Sequence, residues 1–127
     1  MRRLRYSRES EMNVLLVEDD DSVRSSLADL LVDAGLRVTP VASACEALGI
    51  AENTQPAVLL ADVRLGPGMN GLALVAEARR RWPGIRCVLM TGDPVAAQTC
   101  EAGADLFLTK PFRTAALLAA LGGEMAG

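Results

Sequence analysis

Short apolar runs alternate along the chain with longer segments that have the periodicity of amphipathic helices. Five runs predict strands, at residues 14–17, 36–41, 57–61, 85–90 and 106–109. Successive runs start 21 to 28 residues apart, which leaves room for one helix and two short loops each time. The runs VLLV, AVLLA and CVLM are almost uninterrupted in apolar residues. Such runs are typical of parallel strands that are covered on both faces.

The first two segments between the runs carry clear helix signals. One apolar stripe is formed by Val23, Leu27, Leu30, Leu31 and Ala34. Gly35 follows this stripe and predicts the end of the first helix. In the next segment, Ser43 and Glu46 have the spacing of a capping box, which predicts a second helix over about 44–52.

Three further helices complete the pattern. A third stripe is formed by Leu72, Val75, Ala76 and Ala78, and it ends before Pro83 and Gly84. The segment at about 95–102 predicts a short, alanine-rich helix. The last stripe is formed by Leu117, Leu118 and Leu121, before Gly122 and Gly123.

Five strand–helix units predict an α/β fold, a flavodoxin-like doubly wound (βα)5 sandwich. Its five-stranded parallel sheet is expected in the order 2-1-3-4-5. The second strand contains Pro40 and is followed only by small residues, so we expect it at an edge of the sheet. We expect one domain over 13–122, with a flexible basic arm at 1–12 and a short tail at 123–127.

Composition narrows the class of protein. Half of the 127 residues are apolar, enough for a core, but no run approaches the roughly 20 apolar residues that span a membrane. Four arginines lie in the first ten residues, so the rest of the chain carries a more negative net charge than the −3 of the whole. An acidic body argues against nucleic-acid binding by the folded part. The three cysteines are widely spaced and fit neither a disulfide framework nor a metal knuckle, so we expect a cytoplasmic protein.

Chemistry-bearing residues follow four of the five strands. They are Glu18, Asp19, Asp62, Thr91 and Lys110. Because strands 1, 3, 4 and 5 are neighbours in the expected order, their carboxyl ends converge at one edge of the sheet. Clustered carboxylates repel one another, and a hard cation such as Mg²⁺ (or Mn²⁺) relieves that repulsion.

The same set can carry phosphoryl chemistry. A carboxylate can attack phosphorus and form an aspartyl phosphate, while a hydroxyl and an ammonium group bind the transferred oxygens. Lys110 is the only lysine beside 12 arginines, and it lies at a strand end just before Pro111. A helix N-terminus rich in acids explains part of the 18–21 segment, with Asp20 or Asp21 as the cap, but it does not explain Asp62.

Five segments together resemble the response-regulator receiver family, in the family's order and over about residues 13–121. They are VLLVEDDDSVR, VLLADVRL, GMNGLAL, VLMTGD and GADLFLTKPF. The resemblance implies that Asp62 is the phospho-acceptor and that Glu18 and Asp19 are the acid pair, with Asp19 the closer Mg²⁺ ligand. It also implies that the backbone carbonyl of Arg64 completes the metal site.

The resemblance further implies that Thr91 and Lys110 bind the phosphoryl oxygens and that Thr91 and Phe107 form the conformational switch. It implies a cis peptide bond before Pro111. A histidine kinase or a histidine phosphotransfer protein is then the phosphoryl source, and altered binding to a downstream protein is the output, without an enzymatic reaction on a separate substrate. The chain departs from the family in a 65–71 loop one residue longer and in a shorter span between Thr91 and Lys110.

Three other interpretations remain. The sequence GPGMNG at 66–71 fits the G-x-G-x-x-G pattern of a dinucleotide-binding enzyme, but Asp62 would repel the cofactor and the motif lies in the third unit. An aspartyl-phosphate phosphatase usually has a second aspartate two residues after the nucleophile, where this chain has Arg64. A degenerate receiver that only binds partners is disfavoured because every expected site residue is present.

Overall fold

The computed structural model describes residues 12–50, 55–65, 70–92 and 104–121. Within them the strands are β1 (Asn13–Val17), β2 (Arg37–Val41), β3 (Val58–Asp62), β4 (Arg86–Thr91) and β5 (Leu106–Thr109). The helices are α1 (Asp21–Asp33), α2 (Ala44–Leu48), α3 (Gly71–Arg81) and α4 (Thr114–Ala120). All strand pairs are parallel, in the order β2-β1-β3-β4-β5. The predicted fold class and strand order are confirmed.

The sheet separates two apolar cores. One core packs β1, β3 and β4 against α1 and α4, and the other packs the opposite face of these strands against α2 and α3. Alternate strand residues therefore face different helices, as the uninterrupted apolar runs predicted. β2 is an edge strand, and its exposed Pro40 pairs in register with Leu16. A proline is tolerated there because an edge strand has one side without ladder hydrogen bonds.

Side-chain caps fix where three helices begin. Asp20 caps α1 by accepting a hydrogen bond from the Val23 amide (3.0 Å), and Asn70 caps α3 through the Ala73 amide (2.9 Å). Ser43 caps α2 by accepting from the Glu46 amide at 3.1 Å, as the capping-box spacing predicted. The Glu46 side chain accepts a hydrogen bond from the Ala42 amide at 3.0 Å, whereas a standard capping box uses the amide of the cap residue itself, here Ser43.

Several helix predictions need correction. α2 ends at Leu48 with Gly49 as its cap, several residues before the expected end at 52. Val23 is 38% exposed, because it lies in the first turn of α1, at the polar end of the sheet. On α3, Ala76 is exposed and Leu74 is fully buried in its place.

Some predictions fall outside the described residues. These are the basic arm, the helix at 95–102, the glycine pair at 122–123, the 123–127 tail and most of the 66–71 motif. Among the helices that the structure does describe, none is both long and apolar enough to cross a membrane.

A carboxylate joins β4, β5 and α3 at the end of the sheet where the strands begin. Asp105 accepts hydrogen bonds from the buried Cys87 amide (2.7 Å) and from Arg79 Nη2 (3.0 Å). The hydrogen bond from the Cys87 amide and, to a smaller extent, the Arg79 guanidinium hold the pKa of Asp105 below its ordinary value. A lowered pKa means that this stabilisation is present above the ordinary value of 3.8 and is lost as the pH falls through the lowered value.

We expect Asp105→Ala to lower the free energy of unfolding by about 1–2 kcal/mol at neutral pH, because the Cys87 amide loses its partner. Urea unfolding at several pH values measures this, with the exposed Asp29→Ala as control. The difference from the parent should shrink on acidification, and a difference that grows at low pH would contradict this account.

Candidate functional site

The carboxyl ends of the central strands bring the predicted residues to one edge of the sheet. Asp62 is the last residue of β3, and Thr91 is the last residue of β4. Glu18 directly follows β1, and Lys110 directly follows β5. Parallel pairing aligns these ends, because Val17 is opposite Ala61 and Thr91 is opposite Thr109. The convergence that the strand order predicted is therefore present.

Asp62 and Lys110 are in direct contact. Lys110 Nζ lies 2.5 Å from Asp62 Oδ2, in an ion pair between residues far apart in the sequence. The other carboxylate oxygen, Oδ1, accepts a hydrogen bond from the amide of Arg64 at 3.0 Å. Lys110 is anchored in turn, since its own amide donates to the Thr91 carbonyl at 2.8 Å. The Lys110–Pro111 peptide bond is cis, as the resemblance implied.

Glu18 is a buried carboxylate with one unsatisfied oxygen. The residue is 3% exposed, and its amide donates to the Val41 carbonyl at 3.1 Å. Oε2 accepts a hydrogen bond from the Asp20 amide at 3.1 Å, whereas Oε1 has no hydrogen-bond partner among the described residues. Burial raises the pKa of Glu18, with smaller contributions from the charges on Asp62 and Asp19. The Asp20 amide and the Lys110 ammonium oppose that rise.

These features fit a hard divalent cation. A buried oxygen without a partner beside neighbouring carboxylates leaves negative charge that protein donors do not satisfy. Within the described ranges no three acidic or thiol side chains form a complete metal cluster. Mg²⁺ does not need one, because it is commonly held by one or two carboxylates together with waters and phosphate oxygens. Glu18 and Asp62 are the candidate ligands that follow or end neighbouring strands at this edge, and the ligand role of Asp19 stays a prediction.

The remaining predicted residues are placed less directly. Thr91 is buried at the end of β4, and Asp19 is exposed beside Glu18. Arg64 is exposed, and its described contact with Asp62 is made through the amide, so the metal role of its carbonyl stays a prediction. Phe107 is partly buried and packs against the core on the α2 and α3 side of the sheet.

Sequence reasoning missed Arg24, which secures the acidic loop. Its guanidinium donates from Nη1 to the Glu18 carbonyl (2.9 Å) and from Nη2 to Asp21 Oδ1 (2.6 Å), and the side chain is only 21% exposed. A cation in the first turn opposes the helix dipole, so an arginine there needs a specific partner. The position of an arginine in the first helical turn was therefore the sequence signal that could have indicated this contact.

Comparison with known proteins places the chain in a family. The model of the response regulator receiver domain matches residues 14–122. The transcriptional regulatory protein FixJ of Azorhizobium caulinodans is 40% identical over 111 residues, covering 85% of this chain and 52% of FixJ. The DNA-binding transcriptional regulator NtrC of Escherichia coli is 37% identical over 102 residues, covering 78% of this chain and 22% of NtrC. The chain thus spans about half the length of FixJ and less than a quarter of NtrC.

Solved structures agree with this assignment. A response regulator of Burkholderia pseudomallei, crystallised with a phosphorylated aspartic acid, calcium and citrate, has a TM-score of 0.75 and 31% identity. That match covers 86% of this chain and 65% of the other. The receiver domain of sensor histidine kinase PA1611 of Pseudomonas aeruginosa has a magnesium ion in its active-site cleft. Its TM-score is 0.77 at 30% identity, with 87% of this chain and 93% of the other covered. This chain belongs to the response-regulator receiver family and is a receiver domain of the two-component type.

Proposed function

We propose that Asp62 is the residue that accepts the phosphoryl group in this receiver domain. The observation that carries the proposal is the contact of its carboxylate with Lys110, the only lysine of the chain, at the carboxyl edge of the central strand. The buried, unsatisfied Glu18 lies at the same edge and supplies the negative charge of a cation site.

The chemistry follows from these contacts. An oxygen of the Asp62 carboxylate attacks phosphorus, and the bond from phosphorus to the donor breaks, so that its electron pair leaves with the donor group. The Arg64 amide holds Oδ1 in place. The Lys110 ammonium, a compact point charge, then shifts its contact from Asp62 Oδ2 to the oxygens of the transferred group. The Thr91 hydroxyl, at the end of the adjacent β4, is the second donor to those oxygens.

Mg²⁺, or Mn²⁺, neutralises charge on the phosphoryl oxygens when it is bound. Glu18 and Asp19 would hold the ion together with Asp62 and the carbonyl of Arg64. The magnesium and calcium ions of the two similar receiver structures support this choice of metal.

The phosphoryl source is, on this proposal, a histidine kinase or a histidine phosphotransfer protein in the cytoplasm. The domain corresponds to residues 13–122 and acts as a regulator rather than as an enzyme on a separate substrate. The output is altered binding to a downstream protein, relayed by Thr91 and Phe107. On this proposal the domain itself binds neither nucleic acid nor a membrane. A receiver that only binds partners is not favoured, because the acceptor, acid pair, hydroxyl and ammonium are all present.

The test is phosphoryl uptake from acetyl phosphate with Mg²⁺, followed by intact-protein mass spectrometry. We expect the parent to gain one acid-labile phosphoryl group and Asp62→Asn to gain none. Asp33→Asn, an exposed aspartate at the end of α1, is the matched control and should behave like the parent. Equal uptake by Asp62→Asn and the parent would show that another residue is the acceptor.

A further inference from the structure

α3 begins at a glycine that lies directly against the main chain of Asp62. Gly71 is buried, and its amide donates to the Val63 carbonyl at 2.9 Å. A Cβ atom at position 71 would lie 2.4 Å from the Asp62 carbonyl oxygen and 2.9 Å from the Val63 Cα. Both are backbone atoms, so no side-chain rotation can relieve the overlap. This glycine closes the GPGMNG motif, whose dinucleotide-binding interpretation is not favoured by the match to the receiver-domain family.

Both sides of the contact are held by other interactions. Asp62 is in register with Met90 in β4, and the Val63 amide donates to the Met90 carbonyl at 2.9 Å. On the other side, α3 is fixed by its buried Leu74 and by the Asn70 cap. A side chain at position 71 must therefore displace either the end of β3 or the start of α3.

We propose that Gly71 is a positioning residue for phosphoryl transfer. Its missing side chain lets α3 start against the Asp62 peptide, which fixes the acceptor carboxylate relative to Lys110 and keeps the Arg64 amide on Oδ1. The inference rests on the proposed function of Asp62. Gly71 acts through the main chain of Asp62 and Val63, the atoms nearest to a Cβ at position 71.

The required displacement predicts the size of the effect. Moving the contact from 2.4 Å to 3.0 Å, below which Cβ contacts essentially never fall, takes roughly 0.6 Å. A misplacement of about 1 Å can cost on the order of a hundredfold in rate where reacting groups must be aligned. Gly71→Ala should therefore take up phosphoryl groups about ten to a hundred times more slowly than the parent.

The experiment compares Gly71→Ala with Gly49→Ala at saturating Mg²⁺ and acetyl phosphate, with rates expressed per folded molecule. A Cβ at Gly49, the cap of α2, meets nothing closer than 3.5 Å, so this control has the same chemical change without the overlap. Asp105→Ala, destabilised at the far end of the sheet, shows whether instability alone slows uptake. Amide resonances of Val63 and Arg64 in the metal-free protein report the position of the acceptor main chain independently of any reaction.

We expect slow uptake and displaced Val63 and Arg64 resonances in Gly71→Ala, with near-parental rates in both controls. If Gly71→Ala is partly unfolded, the measurements are repeated in trimethylamine N-oxide, which favours the folded state. A parental rate per folded molecule, or unmoved resonances, would overturn the inference. If the parent itself takes up no phosphoryl group, the proposed function fails, and the resonances still decide whether Gly71 sets the Asp62 main chain.

Discussion

Lys110→Met is expected to reduce the rate of phosphoryl uptake by about a hundred- to a thousandfold, the usual cost of removing one donor that stabilises transition-state charge. Lys110 Nζ contacts Asp62 Oδ2 at 2.5 Å, and the Lys110 amide is bound to the Thr91 carbonyl. The ammonium is therefore held beside the proposed acceptor carboxylate, within reach of the oxygens of a group transferred to it. Methionine keeps a long unbranched side chain and removes the charge. The rate is measured by quenching reactions with acetyl phosphate at successive times and analysing them by intact-protein mass spectrometry.

Lys110→Arg separates charge from geometry. Arginine keeps the charge, but its planar fork replaces a compact ammonium that the structure places on one carboxylate oxygen. We expect a rate between those of the parent and Lys110→Met. Arg113→Gln, which removes an exposed cation three residues along the chain, should leave the rate unchanged. If Lys110→Met reacts as fast as the parent, Lys110 has no part in binding the phosphoryl group.

The strands and their order were predictable because both faces of the sheet are buried. Burial forces apolar residues into consecutive positions, as in the fully buried run from Val14 to Val17. The cap of α2 was also predictable, because it depends only on Ser43 and Glu46, which are neighbours on one helical turn. The end of α2 was predicted wrongly, because the apolar stripe of this segment continued past Leu48 although the helix already ends there, with Gly49 as its cap. Glycine commonly ends helices, so the end of α2 was misplaced because the apolar stripe was given more weight than Gly49.

The site was predictable as a set of strand-end residues, but its contacts were not. Strand order alone places Asp62 and Lys110 at one edge. It does not show that they touch, or that Glu18 has one satisfied and one unsatisfied oxygen. Arg24 and Gly71 were missed because each acts on a main-chain carbonyl, that of Glu18 and that of Asp62. Neither contact depends on a periodic pattern of side chains, so neither leaves a regular spacing in the sequence.

The cost of burying an ionised carboxylate is expected to be greatest at Glu18, whose pKa is raised mainly by burial. Asp62 is paired with Lys110, so neutralising Asp62 would leave an unpaired ammonium. Glu18 is buried, and its Oε1 has no hydrogen-bond partner among the described residues. Glu18→Gln should therefore raise the free energy of unfolding of the metal-free protein by about 1 kcal/mol at neutral pH, against the usual trend for substitutions. Mg²⁺ should stabilise the parent by mass action and stabilise this variant less.

The pH dependence of this gain has a defined sign. Because burial raises the pKa of Glu18 in the folded state, its contribution to stability is fully present below the ordinary value of 4.5. That contribution is lost as the pH rises through the raised folded value. Glu18→Gln does not titrate, so its advantage over the parent should be absent in acid and grow toward neutral pH. Urea unfolding across this range, with chelator and then with Mg²⁺, measures it.

Glu46→Gln provides a control of opposite sign. Glu46 is an exposed glutamate whose Oε1 accepts a hydrogen bond from the Ala42 amide in the first turn of α2, where a negative charge is favourable. Its neutralisation should lower stability by about 0.5 kcal/mol, so loss of an acidic charge as such does not stabilise the protein. A Glu18→Gln variant that unfolds more easily than the parent at neutral pH without metal would show that the buried carboxylate is satisfied in the folded protein. The cation site would then have to be sought away from Glu18.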